Sequence, residues 1–349
     1  MKIASNGLVS NLIDFYTVWK DASNFYNHID DPYFLVNDPF GCPCFHYTDI
    51  ESINQCQEQV IIIDCLTEGL HSKGYFCQYR KDHHYVIFSN GNWDTVIWDL
   101  GIDYILIWYP FFLYDMADAY NSPQRFCYHL AKEYVFDYPK PVSFISTIGN
   151  VRPQRDLIVE KILSQLDGKK IILRYSGQDL ALPSDRFDMI NFRSGEFDPY
   201  ISILEKYYHN VSQSLPIDLY NQSYFNLIVE TDLDFENSFF LTEKTIKSLI
   251  VGQPFVVFSN PKHLEHLREI GFRTFDAVWD ESYDDIQDFE SRLDTIIKLC
   301  DYLSNEFDWQ SNKDQLEDIK KHNRFIFQNL NQFLNRCFED IEKKLQKFV

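Results

Sequence analysis

Short apolar runs, each closed by a polar or glycine-bearing loop, punctuate the first half of the chain. Val60-Ile61-Ile62-Ile63-Asp64 leads into Thr67-Glu68-Gly69, and Tyr85-Val86-Ile87-Phe88 leads into Ser89-Asn90-Gly91-Asn92. Tyr104-Ile105-Leu106-Ile107-Trp108 ends at Tyr109-Pro110. Continuous β-branched runs of this length fit strands buried on both faces, as in a parallel sheet. A short strand is expected at 2–5, with an aromatic helix near 12–19. Pro139 and Pro141 interrupt helix and sheet alike and mark a boundary. Beyond them the pattern predicts strands at 142–147, 170–175, 225–230 and 254–258. Helices are expected at 153–166, near 200–208, at 242–251 and at 261–270, the first with Pro153 in its opening turn. From about 285 onward the pattern is largely helical. Strand–helix alternation in two blocks predicts an α/β chain of two doubly wound Rossmann-like lobes, 1–140 and 141–300, with C-terminal helices at 301–349.

Charge changes this picture more than composition does. The chain carries a formal net charge of -20 over 349 residues. Acidic residues crowd 276–318, opposed there only by Arg292, Lys298 and Lys313. Basic residues gather at Arg152, Arg155, Lys161, Lys169, Lys170 and Arg174, and again at Lys244, Lys247, Lys262, Arg268 and Arg273. A local positive pocket in an acidic protein suits a small polyanion such as a nucleotide diphosphate. The same balance works against duplex DNA, whose binding needs a basic footprint.

Eight cysteines are too few for a disulfide scaffold, and Cys42-Pro43-Cys44 has no second pair at zinc-site spacing. The opening residues lack the apolar core of a signal peptide. The longest apolar run, 104–114, is too short to span a bilayer and contains Pro110. A reducing, cytoplasmic location without a membrane span is the expectation.

Ligands of open parallel sheets bind beyond the carboxyl ends of the strands. After the 142–147 strand come Gly149, Asn150, Arg152 and Arg155, where a turn opening into a helix offers backbone N–H groups and guanidinium donors to an anion. The 225–230 strand ends on Glu230, followed by Glu236-Asn237-Ser238 and Thr242-Glu243-Lys244-Thr245. Thr242 is a good N-cap, and Glu243 suits the positive end of the helix dipole. Lys244 opposes that dipole, so its placement makes sense with a phosphate at the helix start.

The stretch Phe235-Glu236-Asn237-Ser238-Phe239-Phe240-Leu241-Thr242-Glu243-Lys244 resembles the signature of the α-1,3-fucosyltransferase family, in which E-N-S precedes T-E-K at a helix start. The segment from Ile145-Ser146-Thr147 to Arg155 is similar to that family's S-N-x…R element. Gly252-Gln253-Pro254-Phe255 and the later Asp280-Glu281-Ser282-Tyr283-Asp284 resemble glycosyltransferase-like proteins of phages and bacteria. The resemblance covers roughly residues 143–295. It implies a two-lobe transferase of GT-B type taking a GDP- or UDP-sugar, with Arg155 and Lys244 on the diphosphate and Glu243 on the ribose. It also implies an inverting, metal-independent transfer. The approach to E-N-S departs from the family pattern, which leaves Glu230 and Glu236 both as counterparts of the family's first glutamate.

Glycosyl transfer needs a base for the acceptor hydroxyl, and the first lobe supplies candidates. Glu68 in its tight loop and Asp64 at a strand end come first, with His71, Asp94 and Asp115 further along; Glu230 is the second-lobe carboxylate candidate. Trp93, Trp108 and Tyr109 stand where a glycan or glycoconjugate acceptor would approach. Two alternatives stay open. One is a DNA glycosyltransferase acting on 5-hydroxymethylated bases, using Lys73, Arg80, Lys81, His83 and His84 as its basic face. The other is a non-catalytic sugar- or nucleotide-binding protein on the same fold. From the charge balance, duplex DNA is expected not to bind near physiological salt. A salt-dependent gel shift with hydroxymethylated duplex, or sugar transfer onto it, would reverse that choice.

Overall fold

The computed structural model describes residues 3–5, 60–65, 81–82, 84–91, 102–108, 110, 112–113, 131, 134–136, 139–149, 151–168, 170–175, 178–181, 215, 217–233 and 239–330, with single positions between 333 and 344. The chain divides into two compact units, Met1–Phe111 with Asn331–Val349, and Phe112–Leu330.

In the first unit, β1 (Ile3–Ser5), β2 (Val60–Cys65), β3 (His84–Ser89) and β4 (Asp103–Trp108) form one sheet in the order β1-β2-β3-β4. All three pairings are parallel, as the apolar runs predict. Tyr85 and Ile107 are fully buried. The indole N–H of Trp108 donates to the Asn90 carbonyl at 3.0 Å, and its ring meets Phe333 edge-on at 6.0 Å. Most of the residues joining these strands, including the helix expected near 12–19, lie outside the described residues.

The second unit is a five-stranded sheet in the order β7-β6-β5-β8-β9, built from β5 (Val142–Ile148), β6 (Ile171–Tyr175), β7 (Gln178–Ala181), β8 (Ser223–Val229) and β9 (Phe255–Phe258). Every pairing is parallel except β6 with β7, an antiparallel edge that the apolar pattern did not announce. Between the strands run α1 (Pro153–Gln165), the short α2 (Ile217–Gln222) and α3 (Glu243–Val251); α4 (His263–Ile270) follows β9. Two long helices, α5 (Phe289–Asn305) and α6 (Trp309–Gln328), complete the unit. α5 packs on α1 and α6 on α3. The crossovers through α1 and α3 run in opposite directions along the sheet, and right-handed crossovers of that kind place helices on opposite faces. The helix expected near 200–208 lies outside the described residues.

Local chemistry sets the helix ends. Asp288 and Asp308 accept the amides of Ser291 and Ser311 as N-caps of α5 and α6. α6 in turn finishes α3, because Arg324 donates to the carbonyls of Ile250 and Val251 at 3.3 and 2.7 Å. A cation there satisfies orphan carbonyls and suits the negative end of the dipole. An aromatic cluster holds α6 at its other end. Phe225 lies 5.2 Å from Phe144, 5.9 Å from Trp279 and 5.7 Å from Trp309, and Trp309 also meets Tyr224 and Phe136. Among the described residues no helix is long and apolar enough to cross a membrane.

Gly252 ends α3 with φ +76°, and a Cβ there would stand 2.3 Å from Cγ of Lys320 on α6. Gly252→Ala is therefore expected to destabilise the second unit by about 1–3 kcal/mol, combining left-handed backbone strain with displacement of the Lys320 stem. Urea unfolding measures it.

Candidate functional site

From β5 the chain winds outward to β6 and β7, then returns to the other side of β5 to lay down β8 and β9. The winding reverses between β5 and β8, and in doubly wound sheets the crevice at such a reversal is where ligands bind. Gly149, Arg152 and Arg155 leave β5 on one side of that crevice. Glu230 and Thr231 leave β8 on the other.

Two guanidinium groups bridge the crevice. Nη1 of Arg152 donates to the Thr231 carbonyl at 3.1 Å, and Nη2 of Arg155 donates to the Glu230 carbonyl at 3.2 Å. Arg155 is only 3% exposed, and Nη1 of this residue lies 3.8 Å from where a Cβ on Gly149 would stand. Burial, and then Arg152 beside it, lower the Arg155 pKa, while Glu230, Tyr175 and Glu243 oppose that fall. Tyr175, at the end of β6, accepts the Arg152 amide at 3.3 Å and donates to Oδ1 of Asp156 at 2.6 Å.

The start of α3 completes the cluster. Thr242 is its N-cap, as expected, its hydroxyl accepting the Lys244 amide at 3.3 Å. Nζ of Lys244 donates to the hydroxyls of Thr231 at 2.9 Å and Thr242 at 3.3 Å, and pairs with Oε1 of Glu243 at 3.3 Å. Thr231 is thus shared, with Arg152 on its carbonyl and Lys244 on its hydroxyl. Burial would raise the Glu243 pKa, but Lys244 and Lys247 outweigh it and hold the carboxyl below its ordinary value. The helix start itself adds to that preference for negative charge.

Glu230 occupies a different place from that of a base facing an acceptor. It is 0% exposed. Its carboxylate accepts the hydroxyls of Thr242 at 2.5 Å and Thr245 at 2.6 Å, and the amides of Thr231 at 3.3 Å and Thr242 at 3.4 Å. Thr245, expected at the ligand, turns its hydroxyl inward to this carboxylate and is fully buried.

Of the other candidates, Asp64 lies on β2 opposite Phe88, and its side chain is not among those described. Glu68, Asn150, Glu236, Asn237, His71, Asp94, Asp115, Trp93 and Tyr109 lie outside the described residues, as do Lys73, Arg80 and His83 of the basic face; Lys81 is exposed and His84 opens β3. The trailing Asp280–Asp284 motif is a brace for α4. Asp284 accepts the amides of Leu264 and Glu265 at 2.9 and 3.0 Å, and Glu281 accepts the Phe275 amide at 2.8 Å beside Arg268. Among the described residues no group of three or more His, Cys, Asp or Glu side chains comes together as a metal site. Sequence reasoning missed Thr231 and Tyr175. The rule that found Arg155, inspection of the residues at each strand end, would have found both. Compared with models of protein families and with curated proteins, the chain matches none.

Burial pushes the Glu281 carboxyl from 4.5 up to about 7, even though Thr274, the Phe275 amide and Arg268 pull it down. The folded state therefore holds this proton more tightly than the unfolded chain does. Its contribution favours folding below about pH 4.5 and is lost as pH rises to about 7, a change of order 3 kcal/mol. Glu281→Gln is expected to remove that part of the slope in urea unfolding followed across this pH range.

Proposed function

We propose that this protein is a nucleotide-sugar-dependent glycosyltransferase whose donor diphosphate lies at the β5/β8 crevice of the second unit. One observation carries the reading: Arg152 and Lys244 converge on Thr231 from opposite sides of the crevice, with Arg155 behind them on the neighbouring carbonyl. Three cations at strand ends and a helix start form an anion site in a chain of net charge -20. Phosphate oxygens are stronger acceptors than the carbonyls and hydroxyls these groups now hold, so a diphosphate would draw them over.

Such a site does what glycosyl transfer requires of the donor side. Negative charge grows on the departing diphosphate as the glycosidic bond breaks, and fixed cations stabilise it more in the transition state than in the ground state. Glu243, held anionic beside Lys244, suits a pair of ribose hydroxyls as hydrogen-bond acceptor. The resemblance to α-1,3-fucosyltransferases supports the same assignment of roles. It extends the proposal to a GT-B arrangement of two Rossmann-like lobes, a GDP- or UDP-sugar, and an inverting outcome. The acceptor would be a glycan or glycoconjugate hydroxyl.

Calorimetric titration with GDP and UDP in the presence of a chelator tests this. Nucleotide at 100 times its Kd should stabilise the protein by about 2.7 kcal/mol. Lys244→Ala should weaken binding about tenfold, the worth of one charge-assisted hydrogen bond, while leaving the fold intact. If neither nucleotide binds at millimolar concentration, the transferase reading fails.

A further inference from the structure

We infer that Glu230 is the positioning residue of this anion site, fixing the Lys244 ammonium through Thr231 and Thr242 without meeting the ligand itself. The name of the ligand rests on the diphosphate reading; the geometry does not.

A threonine hydroxyl has one proton to give and two lone pairs to receive with. Thr242 gives its proton to Oε2 of Glu230 at 2.5 Å. Its lone pairs are thereby left facing Lys244, whose amide and ammonium both donate to them at 3.3 Å. The other hydroxyl on the ammonium belongs to Thr231, and the Thr231 amide donates to the same Oε2 at 3.3 Å. Both residues whose hydroxyls hold Lys244 are thus bonded to one carboxylate, Thr242 through its hydroxyl and Thr231 through its amide. Main-chain geometry repeats the pattern, because the Glu230 carbonyl is the acceptor for Arg155.

Stability gives little reason for an acid at this place. Desolvating a carboxylate is costly, and an apolar residue of similar volume commonly serves a buried strand end as well or better. The carboxylate does what an apolar side chain cannot: it takes the proton of the Thr242 hydroxyl, which turns that oxygen's lone pairs to Lys244, and it anchors the Thr231 amide. Near the start of α3 its charge is also in a favourable field.

The test reads Lys244 directly, by its rate of acetylation with an N-hydroxysuccinimidyl ester mapped by mass spectrometry, beside GDP affinity. In Glu230→Leu the Lys244 rate should rise, and GDP affinity should fall, each about tenfold, as for loss of a charge-assisted hydrogen bond. The double variant Glu230→Leu/Thr242→Val should add nothing further, because both changes cut one path. Asp284→Asn, which weakens the brace of α4, controls for lost stability and should leave Lys244 labelling unchanged. If wild-type protein binds no GDP yet Lys244 labelling rises in Glu230→Leu, the positioning role stands and the diphosphate reading falls. Unchanged labelling in a folded Glu230→Leu overturns the inference. Should that variant not fold, Thr242→Val must raise Lys244 labelling while Thr242→Ser, which keeps the hydroxyl, does not; equal labelling in the two overturns it.

Discussion

In a sheet whose crossover helices run to both sides, the two strands at the reversal send their chains apart, and no connection is laid across their carboxyl ends. Among the described strands of the second unit the reversal falls between β5 and β8. The exits of the two strands are therefore neighbours in space although about eighty residues apart in the chain. Arg152 and Arg155 close the gap by reaching the carbonyls of Thr231 and Glu230. Everything at the site follows from this juxtaposition, which gathers cations from one segment and hydroxyls, carbonyls and a helix start from another.

Burial then sorts the charged groups by what surrounds them. Glu230 is sealed, yet four protein donors satisfy it. Glu281 is also buried, and burial pushes its carboxyl up to about 7. His263, 1% exposed against the ring of Phe239, falls to about 3 through burial and the nearby His266. Glu281 and His263 thus shift in opposite directions for one reason, since burial disfavours the charged form of each.

The C-terminal helices act on the site from a distance. α6 holds α3 at its carboxyl end through Arg324 and presses Lys320 against Gly252, while Glu230 and Thr242 fix the amino end. α3 is nine residues long, too short to be stable alone, so both ends are set by tertiary contacts. The direction in which its first turn presents Lys244 is consequently a property of the whole unit.

Elements were legible in the sequence because their signals are local. The runs at Val60, Tyr85 and Tyr104 became parallel strands, Pro153 opened α1, and Thr242 capped α3. Where a signal was weak, the reading stopped: β7 at the sheet edge and the six-residue α2 carry no distinctive periodicity. At the site, the sequence marked Arg155, Glu243 and Lys244 from their positions at strand ends and a helix start. It also put Glu230 among the catalytic groups and Thr245 among the ligand contacts, because a residue type and a place in the chain do not say which way a side chain turns. That direction depends on burial and on partners brought from other elements. Sequence alone determined most of the described strands and helices and the choice of residues worth inspecting. Only the tertiary structure decided that Thr231 joins two cations and that Glu230 faces inward, because those contacts link segments that share no local pattern.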